Sequence, residues 1–377
     1  MSTDPELYDC IVIGAGVQGS FTAYSLAKRG KRTLLLEQFV LPHTRGSSHG
    51  QTRIIRKAYP EDFYAHMMEG SYQLWAEVEK EAGVKLYRQT GLLVMGPENS
   101  DSYLKIKDTL LWSKTPTVSL SPGEFNSHIP NMKLAPGDAA IVDVNAGVLY
   151  ADRALKTAQV HRRSQFGGVL RDQEKVVDIN PGPIVTVTTS AKSYRAKSVV
   201  ITAGPWANRV LASTGLQLPL KVVRINVCYW KEKTPGSYHV KNRFPFLFFF
   251  VFCHCCPPVA PGIPSGLPSN PTDPDHRDRQ TDRSDVDILR RYVSRSIPGL
   301  EPEPAIVESC MYTMTPDDHF VLDVHPQHRN IVIGAGFSGN SKLTLQFCPS
   351  SAPKKNLNLN FPLLLFFLFV FVFFPFT

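Results

Sequence analysis

The sequence is short of several features that would mark a secreted, fibrous or nucleic-acid-binding protein. Its seven cysteines among 377 residues are irregularly spaced, so no disulfide framework is expected and a reducing compartment is favoured. The N-terminal stretch has no basic segment followed by an apolar run, which predicts no secretory signal. The net charge of +8 comes from scattered basic residues, which argues against a nucleic-acid partner. A hydrophobic content of 43% excludes wholesale disorder and, at this length, predicts one large or two ordinary domains.

Phenylalanine is also scarce outside two short tracts. Of the 22 phenylalanines, 14 lie in residues 244–252 and 361–377. The sequence around both tracts is rich in Phe, Leu, Pro and Ser, whose codons are rich in pyrimidines, like the tract that precedes a splice acceptor site. We therefore predict that residues 244–269 and 340–377 are aberrant segments derived from translated intron.

These two segments contain patterns that other functions would also explain. The 16 apolar residues at 361–376 are fewer than the roughly 20 of a spanning helix and are interrupted by proline, so no membrane partner is expected. The cluster Cys253-His254-Cys255-Cys256 holds its potential ligands too close together for the separated pairs of a zinc site, so no metal is expected.

A glycine-rich turn follows the first apolar strand of the chain. Gly14, Gly16 and Gly19 give the spacing G-x-G-x-x-G between that strand and a helix. The first glycine permits the tight turn, the second lets the backbone approach a pyrophosphate, and the third lets helix and strand pack closely. Glu37 ends the next strand, where a carboxylate accepts hydrogen bonds from a ribose and disfavours a 2′-phosphate. The unit therefore predicts a site for FAD or NAD.

Two later strands favour FAD over NAD. One strand, at 198–203, is followed by Gly204, and another, at 331–333, runs into a second glycine-rich turn that contains Gly336. A flavoprotein that folds its nucleotide domain from separated segments needs such strands in this order along the chain.

Apolar periodicity predicts the other elements. We expect helices at 20–29, 61–83, 153–161 and 285–294, strands at 167–178, 184–190, 222–230 and 306–313, a loop at 41–56, and a mixture of short strands and polar loops at 92–148.

Five motifs carry a resemblance to a known family. They are GAGVQGS at 14–20, RGSSHGQTRIIRKAY at 45–59, INVCYWKEKTPGSY at 225–238, ESCMYTMTPDDHF at 308–320 and IVIGAGFSG at 331–339. Over roughly residues 5–245 and 270–339, the chain resembles the monomeric sarcosine oxidase family of flavoprotein amine oxidases. Within that family it is most similar to the peroxisomal branch that acts on sarcosine and L-pipecolate.

The fold class is therefore expected to be α/β, with two domains. A Rossmann-like FAD-binding domain is interleaved with a mostly antiparallel substrate domain. The predicted boundaries are 1–86, 145–220 and 305–347 for the FAD-binding domain, and 87–144 and 221–304 for the substrate domain.

The resemblance implies two contacts with the cofactor. It implies that FAD is attached covalently through its 8α-methyl group to Cys310, the cysteine of the CMYT motif. It also puts Val176 on a strand near the adenine. From the residues alone, a buried core role is favoured for Cys310, and Val176 also fits simple core packing.

The resemblance also assigns four residues to the flavin and substrate site. Arg56 matches the arginine that binds the substrate carboxylate, and Tyr312 matches an active-site tyrosine. His49 and Arg53 match residues near the isoalloxazine ring. A guanidinium binds a carboxylate through two parallel hydrogen bonds. A cation near the isoalloxazine ring stabilises the negative charge that develops on that ring. Without the resemblance, the two arginines also fit a solvated basic face, and Tyr312 fits a core aromatic.

The implied activity is FAD-dependent oxidation of a secondary amino acid such as sarcosine or L-pipecolate to an imine, with dioxygen converted to hydrogen peroxide. A monomer is expected. The alternative is a catalytically impaired splice-variant remnant that at most binds FAD. Two lysines of the family are not in place, because residues 248–269 contain none and Lys342 lies one position early in the late motif. An NAD-dependent dehydrogenase is disfavoured by the CMYT and RIIR motifs.

The resemblance implies a peroxisomal location. The printed chain ends in Pro375-Phe376-Thr377, which differs from the Ser-Lys-Leu type of peroxisomal signal. Without that signal, the expected location is the cytoplasm.

Overall fold

The computed structural model describes residues 6–238, 246–248, 270–279 and 283–338. The strands within these residues are β1 (Leu7–Ile13), β2 (Thr33–Leu36), β3 (Arg53–Ile55), β4 (Tyr87–Gln89), β5 (Leu92–Pro97), β6 (Thr117–Leu120), β7 (Asp138–Asp143), β8 (Gly147–Leu149), β9 (Val169–Arg171), β10 (Val176–Asn180), β11 (Val185–Thr189), β12 (Ser193–Ile201), β13 (Lys221–Glu232), β14 (Phe246–Phe248), β15 (Asn270–Pro271), β16 (Leu300–Met314), β17 (Val321–Val324) and β18 (Ile331–Ala335). The helices there are α1 (Val17–Lys28), α2 (Asp62–Ala82), α3 (Asp101–Trp112), α4 (Pro122–His128), α5 (Ala151–Phe166), α6 (Ala207–Leu211) and α7 (Ser284–Ser296).

The largest sheet gathers strands from distant parts of the chain. Its order is β10-β11-β12-β1-β2-β9, and β18 pairs with both β12 and β17. The contacts of β1 with β2 and β12, and of β12 with β18, are parallel. Strands 7–13, 193–201 and 331–335 therefore lie side by side, and the predicted α/β class with separated segments in one sheet is confirmed. The exact domain boundaries stay a prediction.

The central strands of this sheet are buried on both faces. Ile11 and Ile13 of β1 point into one apolar cluster, while Cys10 and Val12 point into another, beside Leu26 of α1. Side chains alternate across a strand, and parallel strands covered on both faces consist of continuous apolar runs. This explains why β1 and β2 contain almost no polar residues.

The rest of the described chain forms three smaller sheets. Strands β13 and β16 make a long antiparallel pair, extended by β15. The second sheet has the order β14-β5-β7-β6, and the third has the order β3-β8-β4. Helices α4 and α7 cover the first two sheets through a core that includes Phe125 and Val293.

Four predicted helices are confirmed as α1, α2, α5 and α7. The prediction of only strands and loops at 92–148 was wrong, because α3 and α4 lie there. Tyr103, Ile106 and Leu110 form the buried face of α3, and a capping box begins α4. Helix α4 has only seven residues, and in α3 the exposed apolar residues Leu104, Leu111 and Trp112 obscure the helical period of the buried ones.

Two other predictions need correction. The single strand expected at 167–178 is two strands, since the chain turns at Gln173, which has a φ of 59°, and β9 and β10 pair with different partners. The loop expected at 41–56 contains the short strand β3, which pairs with β8.

The first phenylalanine-rich tract is partly described. Phe246–Phe248 forms β14 and runs parallel to Leu92, Leu93 and Val94 of β5. The remainder of 244–269, the Cys253–Cys256 cluster and residues 340–377 lie outside the described residues. Among the described helices, none is both long and apolar enough to cross a membrane.

Candidate functional site

A cavity of about 1260 Å³ opens at the carboxyl ends of β1, β2, β12 and β18. Open α/β sheets bind their ligands at this position. The cavity is larger than the roughly 300–1,000 Å³ of most small-molecule pockets, which leaves room for a dinucleotide and a small second ligand. Ten of the twelve residues predicted for the site line it, and the two that do not are Gly19 and Arg56.

Gly14 and Gly19 of the first turn are required by close backbone packing. Gly14 has a φ of 98°, and a Cβ atom there would lie 2.6 Å from the carbonyl oxygen of Thr202. At Gly19 a Cβ atom would lie 1.9 Å from the carbonyl oxygen of Gly14. At Gly16 it would lie 3.1 Å from Ser48 Oγ. Gly19 thus packs helix against turn, as predicted, while Gly14 and Gly16 face the cavity.

Glu37 stands at the end of β2 and is buried. Its Oε2 accepts a hydrogen bond of 2.9 Å from the Ala15 N–H, and its Oε1 accepts one of 3.1 Å from the Phe39 N–H. His43 lies 3.4 Å from the same Oε1. The carboxylate is therefore held rigidly at the cavity wall, where the prediction required an acceptor for a ribose.

The loop between β2 and β3 supplies His49, and Arg53 is the first residue of β3. Arg53 donates to the carbonyl oxygens of Thr52 at 2.8 Å, Ser47 at 3.3 Å, and His49. Gly50 has a φ of 113°, and a Cβ atom there would lie 2.6 Å from Arg53 Nη1. The loop therefore wraps around the guanidinium and holds it against the cavity.

His49 is buried and its Nδ1 lies 2.7 Å from the Gly46 carbonyl oxygen. Burial lowers the pKa of His49 to about 4, and the charges of Arg53 and Arg277 act in the same direction. The imidazole is therefore neutral at pH 7. Because the Gly46 carbonyl only accepts hydrogen bonds, Nδ1 carries the proton, and Nε2 is left as an acceptor.

The strand β16 supplies Cys310 and Tyr312, which lie two residues apart and both line the cavity. Residues at this spacing point to the same face of a strand. Cys310 Sγ lies 3.8 Å from the Ser47 carbonyl oxygen, and Ser47 Oγ donates to the Met311 carbonyl oxygen at 2.8 Å. These contacts bring the loop with His49 and the strand with Cys310 together at the cavity wall.

The remaining predicted cofactor residues lie along the cavity wall. Val176 and Gly204 line it. Gly336 has a φ of 66°, and a Cβ atom there would lie 2.4 Å from Thr315 Cγ2. This close approach explains why the second glycine-rich turn needs glycine.

Arg56 lies elsewhere. Its side chain is only 4% exposed, and its guanidinium carbon lies 4.5 Å from the centre of the Tyr59 ring. The resemblance placed a carboxylate-binding arginine here, but Arg53 is the guanidinium of the motif that lines the cavity.

Trp206 and Gln159 are among the cavity residues that the sequence interpretation missed. Trp206 lines the cavity, and its Nε1 donates to Asp275 Oδ1 at 2.8 Å. Gln159 lines it from α5. Trp206 lies inside a motif that the sequence singled out for its glycine, whereas no local signal distinguishes Gln159 from other polar helix residues. Within the described residues, no group of His, Cys, Asp and Glu could hold a metal ion.

These residues fit FAD. The cavity has no room for side chains at Gly14, it presents the N-terminus of α1 and a buried carboxylate, and it is lined by a cysteine and an arginine. Helix N-termini bind phosphate, and a carboxylate at the end of the second strand binds a ribose.

Comparison with known proteins agrees with this site. The family model described as DAO, FAD dependent oxidoreductase, matches residues 9–345. The chain belongs to this family. Membership of an FAD-dependent family explains the fingerprint, Glu37 and the late glycine-rich turn together.

Relatives of this family member cover nearly its whole length. It is 51% identical over 353 residues to the peroxisomal sarcosine oxidase of Homo sapiens, covering 90% of each chain. It is 34% identical to the monomeric sarcosine oxidase of Bacillus sp. (strain B-0618), covering 88% of each. Among solved structures, the L-proline dehydrogenase from P. horikoshii superposes with a TM-score of 0.73 at 20% identity, covering 90% of each chain, and this likeness supports the fold.

Proposed function

We propose that this chain is an FAD-dependent oxidase of secondary amino acids, with sarcosine and L-pipecolate as candidate substrates. The observation that carries the proposal is that Cys310, Tyr312, His49 and Arg53 line the same cavity as the glycine fingerprint. The relatives named sarcosine oxidase cover most of both chains, which supports an oxidase over a remnant that at most binds FAD. When bound, FAD supplies the two-electron oxidation of the amine and the transfer of the electrons to dioxygen.

The side chains of Arg53, His49 and Tyr312 have separate roles in the proposal. Arg53 supplies a fixed positive charge, which stabilises negative charge that develops beside it. His49 is neutral and presents Nε2, so it accepts a hydrogen bond from the substrate ammonium or amine. Tyr312 closes the wall beside Cys310 and sets the width of the substrate space.

A substrate carboxylate needs a cationic partner. Arg56 is the partner that the resemblance implies, and Arg53 is the guanidinium that lines the cavity. Bidentate binding by either arginine would orient the Cα–H bond of the amino acid. Substitution of each arginine in turn decides between them.

Covalent attachment of FAD through Cys310 is part of the proposal. Cys310 Sγ lies at the cavity wall, on a strand that the loop around Ser47 fixes by a hydrogen bond to Met311. A covalent bond at this point would hold the flavin beside His49 and Arg53.

The test begins with expression of the full chain. Yellow protein that keeps its colour after denaturation and precipitation would support the covalent link, and peroxide formed with sarcosine or L-pipecolate would support the activity. Bound flavin without peroxide from either substrate would instead support the remnant. Colourless protein that binds NAD would overturn the proposal.

The cellular location and oligomeric state complete the proposal. The human relative is named as peroxisomal, which supports a peroxisomal location for this chain, and imaging of the tagged protein beside a peroxisomal marker tests it. A monomer is proposed, and light scattering on the purified chain measures the mass.

A further inference from the structure

One side chain of α5 reaches across to the glycine fingerprint. Gln159 Nε2 donates to the Ala15 carbonyl oxygen at 3.0 Å and lies 3.3 Å from Ser20 Oγ. Gln159 is half-buried and lines the cavity. Since 144 residues separate it from Ala15, this contact depends on the packing of α5 against α1.

The residue Ala15 is held at both of its backbone polar atoms. Its N–H, in the Gly14–Ala15 peptide, donates to Glu37 Oε2 at 2.9 Å. Its carbonyl, in the Ala15–Gly16 peptide, accepts from Ser20 Oγ at 2.9 Å as well as from Gln159. Three side chains thus restrain the two peptide units on either side of the Ala15 Cα.

This restraint has a consequence for the next residue. In a trans peptide the C=O and the following N–H point in opposite directions. Holding the Ala15 carbonyl therefore sets the direction of the Gly16 N–H. Gly16 is the N-cap of α1, with φ of −66° and ψ of −176°, and it lines the cavity. Backbone N–H groups at the N-terminus of a helix bind phosphate.

We propose that Gln159 is a positioning residue, which fixes the Ala15–Gly16 peptide so that the fingerprint receives the pyrophosphate of the cofactor. The inference rests on FAD as the cofactor in the proposed function. The neutral amide suits this place because it donates to the carbonyl oxygen without adding negative charge near the phosphates. A carboxylate of the same length would repel both the Ala15 carbonyl oxygen and the phosphates.

Two isosteric variants and one matched control test this role. Gln159→Met keeps the length of the side chain but removes the donor, while Gln159→Glu also introduces a charge. Gln217→Met makes the first change at an exposed glutamine that contacts Asn208 outside the cavity. Apoprotein is prepared from riboflavin-limited cells, with the reference chain and every variant in a Cys310→Ser background so that FAD binds reversibly, and its affinities for FAD, ADP and adenosine are measured by calorimetry.

We expect Gln159→Met to weaken FAD and ADP binding by about tenfold, the effect of one lost buried hydrogen bond. Adenosine has no pyrophosphate, so its affinity should stay at the wild-type value, and Gln217→Met should match wild type throughout. Gln159→Glu should bind FAD still more weakly at pH 7.5. Its FAD affinity should recover only as the pH falls toward about 4, where a glutamate with a pKa of roughly 4.3 gains a proton and its carboxyl group can donate.

Unchanged FAD affinity in Gln159→Met would overturn the inference. So would an adenosine affinity that falls as far as the ADP affinity, because the whole cavity would then be disturbed. If Gln159→Met does not fold, the pH dependence of the FAD affinity of Gln159→Glu tests the inference instead. An FAD affinity that does not change with pH would overturn it. Wild-type apoprotein that binds neither FAD nor ADP would overturn the proposed function, and this inference with it.

Discussion

Two parts of the cavity wall are built in different ways. At the fingerprint, the wall consists mainly of backbone, and glycines 14 and 19 are needed because Cβ atoms would meet carbonyl oxygens. Around Cys310, the wall consists of side chains from a loop and a distant strand, with Ser47 joined to Met311 across 264 positions of sequence. The first kind of site is encoded in a short stretch of sequence, while the second exists only after the chain has folded.

This difference predicts that the fingerprint loses FAD binding when a single methyl group is added. Gly19→Ala would place a Cβ atom 1.9 Å from the Gly14 carbonyl oxygen, so helix and turn must move apart. We expect FAD affinity to fall by about 100-fold, on the order of 3 kcal/mol, measured by titration of the apoprotein in a Cys310→Ser background, where FAD binds reversibly. Gly123→Ala in α4 is the control, because nothing lies within 4 Å of its added Cβ. Wild-type affinity in Gly19→Ala would show that the backbone contact does not matter.

The sulfur atom of Cys310 is expected to decide whether FAD is bound covalently. Cys310→Ser should abolish flavin that survives denaturation, while the intact fingerprint still binds FAD reversibly. The absorbance of the precipitated protein measures this. Cys228→Ser, at a buried cysteine of β13 outside the cavity lining, should keep the covalent flavin. Covalent flavin in Cys310→Ser would exclude this attachment point.

The two arginines of the RIIR motif sharpen the comparison further. Arg53→Gln removes the charge that lines the cavity, and we expect kcat/KM to fall by about 10²- to 10³-fold. Arg56→Gln should raise KM by about tenfold if its guanidinium binds the substrate carboxylate. Steady-state kinetics with sarcosine separate the two effects. A large rise in KM for Arg53→Gln, with none for Arg56→Gln, would reassign carboxylate binding to Arg53.

The smallest expected effect concerns pH. The pKa of folded His49 is lowered to about 4, below the roughly 6.5 of an unfolded histidine, so the unfolded state binds more protons between these values. Stability should therefore rise with pH through this window and fall as the pH drops from about 6.5 to 4. The contribution is about 2 kcal/mol after allowance for solvent screening.

Urea unfolding at pH 7 and pH 4.5 measures this contribution. His49→Asn should show a shallower loss of stability between the two pH values than wild type. Equal losses in the two proteins would mean that His49 does not titrate as proposed.

The sequence predicts the fingerprint well, for a physical reason. A glycine spacing between a strand and a helix restricts backbone geometry locally, and the structure has β1, α1 and β2 around it. Helix α4 was missed because it is short, and α3 because its exposed apolar residues obscure the helical period. The direction in which a side chain points is also hard to predict. Arg53 and Arg56 lie three residues apart, yet only Arg53 lines the cavity.

Contacts between distant residues are the least predictable part. Gln159 meets Ala15 only because α5 packs against α1. Neither the type nor the position of either residue indicates this contact. The late glycine-rich turn was predicted from its sequence. The close approach of its Gly336 to Thr315, in contrast, is visible only in the folded structure.

The most direct test of the account is a peroxide assay on the purified full-length chain with bound FAD. With sarcosine or L-pipecolate as substrate, the account predicts one hydrogen peroxide for each amine consumed, and a rate that falls sharply in Arg53→Gln. Flavin-loaded protein that produces no peroxide from either substrate would contradict it.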